Sequence, residues 1–296
     1  MFEILRTIDA MRDWAKTERQ TGLRLGLVPT MGALHRGHLA LVEEAQRRVN
    51  RVVVSIFVNP LQFGPAEDLA QYPRNLEDDL RQLQGLNVAA VFLPDSDEMY
   101  PGGLGVTRVT IPGLSEVLCG VTRPTHFNGV ATVVAKLFHI VEPNVAVFGE
   151  KDWQQLVIIR RMVYDLNFRV SIVGVPTVRA ENGLALSSRN RYLTQEELKK
   201  ATALYHSLQE ARQLYRQGER RRDALRRVVV DVLTNAGLSY EYIELVNPLT
   251  LQPSPEYLQG PTLVALAVHV GSARLIDNAI LGREQLDEAA LHGNGD

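Results

Sequence analysis

Leu27-Val28-Pro29-Thr30-Met31-Gly32-Ala33-Leu34-His35-Arg36-Gly37-His38 is the stretch that decides how this chain reads. An apolar run over 25–28 meets a proline and a glycine, and two histidines three residues apart then open a segment of helical apolar spacing. A strand that turns through Pro and Gly into a helix aims backbone N–H groups and the positive end of the helix dipole at one point. Imidazoles placed there can donate hydrogen bonds to phosphate oxygens as charge builds during phosphoryl chemistry. The stretch therefore predicts a nucleotide site. A His-x-x-His pair can also hold a metal ion or simply cap a helix. The zinc-protease pattern, however, spaces its histidines four apart around a Glu, whereas Arg36 and Gly37 intervene here and a cation is a poor neighbour for a metal. The tight, close-approach turn marked by Pro and Gly favours phosphate.

The rest of the chain bounds the setting. Its 296 residues are 45% hydrophobic and 22% charged, which suits a soluble protein of one large or two moderate domains. A formal net charge of −2 argues against a general nucleic-acid binder, because phosphate backbones demand a basic excess. The cluster Arg216, Arg220, Arg221, Arg222, Arg226 and Arg227 has no interleaved aromatics and reads as a solvated helix face, not an RNA surface. The single cysteine, Cys119, permits no internal disulfide and fits a reducing compartment. No run approaches the roughly 20 apolar residues of a membrane span, and residues 1–24 hold no continuous apolar segment. A cytoplasmic protein without membrane or nucleic-acid partners is expected.

Strand-like segments at 25–28, 52–58, 88–93, 145–148 and 170–175 are short, β-branched and apolar on both faces, as buried parallel strands are. Between them run helical stripes: Leu39, Val42, Ala45 and Val49; Leu76, Leu80 and Leu83; Val130, Val133, Val134, Leu137 and Val141; Leu156, Ile159, Met162 and Val163. This alternation predicts an α/β fold with a parallel sheet, whose ligands bind beyond the carboxyl ends of the strands. The character changes near Pro176. Thr194 with Glu197 forms a capping-box pattern for a helix to about Gly218, and a second helix is expected over 222–236. Strand-like segments follow at 240–246, 262–270 and 273–277, so a smaller α+β domain is expected. The chain divides on this reading into 1–177 and 178–296.

Three more clusters fall where loops should gather. Asn59-Pro60-Leu61-Gln62-Phe63-Gly64 offers side-chain amides that read hydroxyls and carbonyls without adding charge. Phe148-Gly149-Glu150-Lys151-Asp152-Trp153-Gln154-Gln155 combines a glycine for close approach, a compact cation and a glutamine one turn into a helix. Leu186-Ser187-Ser188-Arg189-Asn190 presents hydroxyls and a guanidinium fork suited to a polyphosphate. Asp78 and Asp79 are candidates for holding magnesium, although neighbours on a helix face different ways and both are not expected on one ion.

Taken together, the chain resembles the pantothenate synthetases (pantoate–β-alanine ligases). The resemblance rests on Pro-Thr-Met-Gly-Ala-Leu-His-x-Gly-His, Ser-Ile-Phe-Val-Asn-Pro-x-Gln-Phe, Tyr-Pro-Arg, Arg-Pro-Thr-His-Phe at 123–127, Phe-Gly-Glu-Lys-Asp-x-Gln-Gln at 148–155, Leu-Ser-Ser-Arg-Asn at 186–190 and Arg-Leu-Ile-Asp-Asn at 274–278. His-x-Gly-His alone is shared with class I aminoacyl-tRNA synthetases and nucleotidylyltransferases and would mark only that superfamily. Trp153 stands where the family often has Phe or Tyr, a mild departure.

The resemblance implies a Rossmann-like catalytic domain, a carboxy-terminal lid and a homodimer. It implies ATP with Mg2+, pantoate and β-alanine as substrates, and a pantoyl-adenylate intermediate. Carried over residue by residue, Met31, Gly32, Ala33, Leu34, His35, Arg36, Gly37 and His38 would form the ATP platform. Gly149, Glu150, Lys151, Asp152, Val178, Leu186, Ser187, Ser188 and Arg189 would complete it. His38, His35, Lys151 and Arg189 would act catalytically; Gln62 would hold pantoate and β-alanine, and Gln155 pantoate. A nucleotidylyltransferase that stops at transfer of a nucleotide to a phosphate is the nearest rival, and the two glutamines argue against it, since a phosphorylated acceptor would call for more cations.

Overall fold

The computed structural model describes residues 2–65 and 67–286. Six strands form one sheet: β1 (Glu3–Leu5), β2 (Leu25–Thr30), β3 (Arg51–Ile56), β4 (Ala90–Phe92), β5 (Val145–Gly149) and β6 (Ser171–Val175). They lie in the order β1-β4-β3-β2-β5-β6, with every pair parallel. The helices are α1 (Ile8–Gln20), α2 (Arg36–Gln46), α3 (Leu76–Gln84), α4 (Ser96–Met99), α5 (Cys119–Thr122), α6 (His126–Val141), α7 (Trp153–Asp165), α8 (Gln195–Arg216) and α9 (Arg222–Asn235). Three further strands, β7 (Ser239–Val246), β8 (Thr262–Val270) and β9 (Ala273–Leu281), make a separate antiparallel sheet.

The chain forms two units. One comprises residues up to Glu116 with Gly120–Glu150 and Ile158–Pro176; the other comprises Val117–Cys119, Lys151–Val157 and the chain from Thr177 onward. In the first, side chains alternate across the sheet. Val28, Val54, Val91, Val147 and Val173 share one core with Leu41, Val42 and Ala45 of α2 and Leu83 of α3. Leu27 and Val53, equally buried, take the other face, where α6 meets β2 and α1 meets α6. In the second unit Leu204, Leu208 and Ala211 of α8 and Leu225, Val229 and Leu233 of α9 pack against Ile243, Leu245, Val264, Leu266 and Val268. The Thr194–Glu197 capping box opens α8 as the sequence predicts, with both reciprocal bonds formed.

From β2 the chain steps outward through β3 and β4, then returns to the far side of β2 with β5 and β6. The connections therefore diverge at the carboxyl ends of β2 and β5, where open α/β sheets bind ligands. The two strands are in register only at Gly26↔Val145 and Leu27↔Ala146. Pro29 follows, still paired to Ser55 of β3, and its missing N–H falls where the sheet is already opening on the β5 side.

The sequence differs from the structure at the ends. Residues 1–24 carry β1 and α1, neither of which the sequence reading anticipated. Strand β1 is three residues long and mostly exposed, and α1 fully buries only Met11 and Ala15, which is too sparse a stripe to read. Strand β9 runs four residues past the expected 277 because Asp277 and Asn278, which look like turn residues, have strand-compatible partners: Arg179 and the carbonyl of Lys151. Among the described residues no helix is long and apolar enough to cross a membrane.

Beyond β2 the backbone enters the left-handed region twice in succession, at Gly32 (φ +79°) and Ala33 (φ +52°). Glycine tolerates this and alanine does not, so Ala33 stores strain of about 1–3 kcal/mol. Asp79 of α3, 2% exposed, holds the turn: its two oxygens accept the Ala33 and Leu34 N–H groups at 3.0 and 2.7 Å. Gln82, one turn on, donates to the Leu34 carbonyl at 3.1 Å. Replacing Asp79 with Ala strands two buried donors. Asp79→Ala should cost on the order of 2–4 kcal/mol in urea unfolding. A loss below about 0.5 kcal/mol, the range of neutral surface changes, would show that the turn holds without the carboxylate.

Candidate active site

The turn delivers the two histidines to the mouth of the sheet. His35 is the N-cap of α2; its Nδ1 accepts the Gly37 N–H at 3.1 Å, and Nδ1 of His38 accepts the His35 N–H at 3.3 Å. The two rings lie 4.1 Å apart between centroids, tilted by 34°. Helix capping, one of the alternatives for this pair in the sequence, thus engages Nδ1 of each ring. A neutral ring with Nδ1 committed as an acceptor carries its proton on Nε2. The first turn of α2 holds no acidic residue to compete with an anion.

A second support fixes Gln62, which is 8% exposed. Asn59 organises its turn: Oδ1 accepts from Leu61 N–H at 3.3 Å and from the Tyr100 hydroxyl at 2.8 Å. The Asn59 amide donates to the Gly129 carbonyl and to Gln62 Oε1, both at 3.1 Å. Gln62 Nε2 reaches Met31 Sδ at 2.9 Å, so two of the predicted site residues touch. The Gln62 carbonyl receives the Arg123 guanidinium at 3.4 Å and lies 2.8 Å from His126 Nδ1. Glu67 pairs with Arg123; burial works against its charge, but Arg123 prevails and holds the carboxyl below its ordinary range. Burial raises the Tyr100 phenol well above its ordinary value, keeping it a donor.

The predicted residues of the second unit form their own cluster. Lys151 and Asp152 stand at the start of α7, 3.9 Å apart, and Asn278 Nδ2 donates to the Lys151 carbonyl at 2.8 Å. Trp153 is anchored by its indole N–H on the Pro248 carbonyl, and Gln154 bridges the backbone at Val117 and Cys119. Gln155 is part-exposed, and its side chain makes no hydrogen bond among the described residues. The 178–189 segment is a hairpin closed by Arg179↔Ala185 pairing and a Leu186 N–H to Val178 carbonyl bond. Asp277, with a side chain 1% exposed, grips Arg179 at 2.6 and 2.8 Å. Ser187 Oγ accepts the Arg189 N–H at 3.3 Å and starts the turn through Ser188.

The two magnesium candidates, Asp78 and Asp79, differ in setting. Asp79 braces the turn, and Asp78 is shared between Arg81 and Gln82 at 3.3 and 3.2 Å. Among the described residues no group of three or more His, Cys, Asp or Glu side chains is gathered for a metal ion. Asn59, one of the two amides the sequence offers for reading a substrate, here supports Gln62. Tyr100, Arg123, His126, Asp277 and Asn278 have no role in the sequence reading. For the last four the signal lies in Arg-Pro-Thr-His-Phe and Asp-Asn, polar residues embedded in otherwise apolar helix and strand patterns.

The comparisons bear on the family and the fold. A family model described as pantoate-beta-alanine ligase matches residues 3–280. The chain belongs to that family. A pantothenate synthetase of Moorella thermoacetica is 50% identical over 280 residues, covering 94% of this chain and 98% of the relative. One from Fervidobacterium nodosum is 50% identical over 278 residues, covering 94% and 99%. Among solved structures, a pantothenate synthetase of Thermus thermophilus aligns with a TM-score of 0.89 at 47% identity, over 94% of this chain and 99% of that one. A pantoate-beta-alanine ligase of Francisella tularensis, solved in complex with beta-gamma ATP and beta-alanine, aligns with a TM-score of 0.78 at 32% identity over 95% and 98%. This ligase-family chain carries a six-stranded parallel sheet and a separate three-stranded antiparallel one.

Gly129 tests the support of Gln62. A Cβ there would lie 2.3 Å from the Leu61 carbonyl oxygen and 2.6 Å from the Gln62 nitrogen, both backbone atoms that cannot rotate away. Gly129→Ala should lose about 1–3 kcal/mol in denaturant unfolding despite the better helix propensity of alanine. Gly85→Ala, with nothing within 4 Å of its Cβ, should be near neutral. Equal effects at the two sites would contradict the close approach.

Proposed function

We propose that this chain joins pantoate to β-alanine at the expense of ATP, releasing AMP and pyrophosphate. In the first step a pantoate carboxylate oxygen attacks the α-phosphorus, and the bond to the β-phosphate oxygen breaks, giving pantoyl adenylate and pyrophosphate. In the second the β-alanine amine attacks the acyl carbon, AMP departs with the bridging oxygen, and the amine gives up its proton. Activation is needed because a free carboxylate has no adequate leaving group; AMP supplies one.

The observation that carries this reading is the paired histidine cap. Its Nε2–H groups suit the phosphate oxygens that gain charge as the pentavalent centre forms, a role that asks no proton transfer of the enzyme. Lys151 and Arg189 are assigned to the charge of the departing pyrophosphate, Arg189 with its planar fork. The neutral amides of Gln62 and Gln155 are assigned to pantoate, with Gln62 also beside β-alanine. Magnesium is read as entering on the ATP phosphates. The ion-paired state of Asp78 and the backbone bonds of Asp79 favour that reading over a resident ion.

Pyrophosphate–ATP exchange, run with pantoate and without β-alanine, tests the sequence of steps. Exchange should appear only when pantoate is present, and adding β-alanine should release AMP. His38→Ala should keep the fold and lower exchange by about 10²-fold or more. Exchange without pantoate, or near-normal exchange in His38→Ala, would overturn the assignment.

A further inference from the structure

The arginine-rich stretch of the sequence does not act as one surface. Arg222 donates to the Ser254 carbonyl, Arg226 to the Ile243 carbonyl, and Arg221 lies against Glu219. What remains is a cavity of about 450 Å3 where the last turns of α8 meet the end of β9. Arg212, Arg216, Arg220 and Arg283 line it, against one carboxylate, Glu284. None of its lining residues belongs to the candidate active site.

Arg212 and Arg216 lie one turn apart on α8, a like-charge spacing that disfavours the helix. Neither guanidinium makes a hydrogen bond or an ion pair among the described residues. Arg212 is also part-buried, and burial, with Arg179, Arg216 and Arg283 nearby, pushes its guanidinium below its ordinary value. Asp277 acts in the opposite sense, but both its oxygens are already bonded to Arg179. A half-buried guanidinium facing other cations is costly unless an anion joins it.

We propose that this cavity is a binding site for a compact oligophosphate, a ligand carrying two or more linked phosphate groups. Its volume lies in the range of small-molecule clefts, which run from about 300 to 1,000 Å3. Guanidinium forks match phosphate oxygens in pairs. The site offers no open aromatic face for a nucleobase. Tyr215 is 7% exposed and carries Arg220 over its ring at 3.8 Å, while Arg220 is held in place by the carbonyls of Tyr215 and Glu219. The arrangement reads charge density, not a base.

The test is calorimetric titration of the full-length protein with inorganic tripolyphosphate while a non-hydrolysable ATP analogue saturates the active site. One further equivalent should bind, with an affinity that falls as salt rises. Arg212→Gln and, separately, the exposed Arg216→Gln should each weaken that binding at least tenfold and leave analogue affinity unchanged. Arg216→Gln decides the matter if Arg212→Gln does not fold. No binding beyond the analogue, or wild-type affinity in Arg216→Gln, would overturn the proposal. The result does not depend on which acyl substrate the enzyme uses.

Discussion

A single buried carboxylate sets the geometry on which the candidate site depends. Asp79 is nearly inaccessible and spends both oxygens on consecutive backbone N–H groups. Two such charge-assisted bonds contribute about 1.5–3 kcal/mol each, enough to outweigh the roughly 1–3 kcal/mol that a left-handed alanine costs. The chain can therefore leave β2, reverse through Gly32 and Ala33, and start α2 with His35 in extended backbone at the N-cap. The capping bonds of both imidazoles then form locally, within residues 35–38.

The second constraint is steric. Gly129 lets the 59–62 turn lie directly on α6, and Asn59 ties turn, helix and Tyr100 together. The two supports meet at the Met31–Gln62 contact, so a rigid apolar sheet hands its precision to a few polar side chains. Buried polar networks of this kind are strong only when every member is satisfied. In the other unit the neighbouring residues Asp277 and Asn278 of β9 play a comparable part, one gripping Arg179 and the other the backbone of Lys151.

Much of the fold was legible because its strands are continuous runs of β-branched residues and its helices carry full apolar stripes. Strand β8 matches its expected bounds because it is buried on both faces for most of its length. The first two elements were not legible, since an edge strand and an outer helix bury too little. At the site, the histidine pair, the glutamine at 62 and the serine–arginine turn stood out by chemistry and spacing. The partners that hold them did not. Asp79 looks in sequence like one more acid in the first turn of a helix, beside Glu77 and Asp78. Only its burial against a loop 45 residues earlier reveals what it does, and no local pattern encodes that distance.

The donor role proposed for the histidine pair requires that both rings be fixed by their Nδ1 atoms. Nitrogen-15 NMR of the imidazoles of the full-length protein at neutral pH measures this directly. Both His35 and His38 should appear as neutral rings protonated on Nε2, with Nδ1 in the chemical-shift range of a hydrogen-bonded acceptor. Protonation on Nδ1 in either ring would contradict the capping geometry and the donor role built on it.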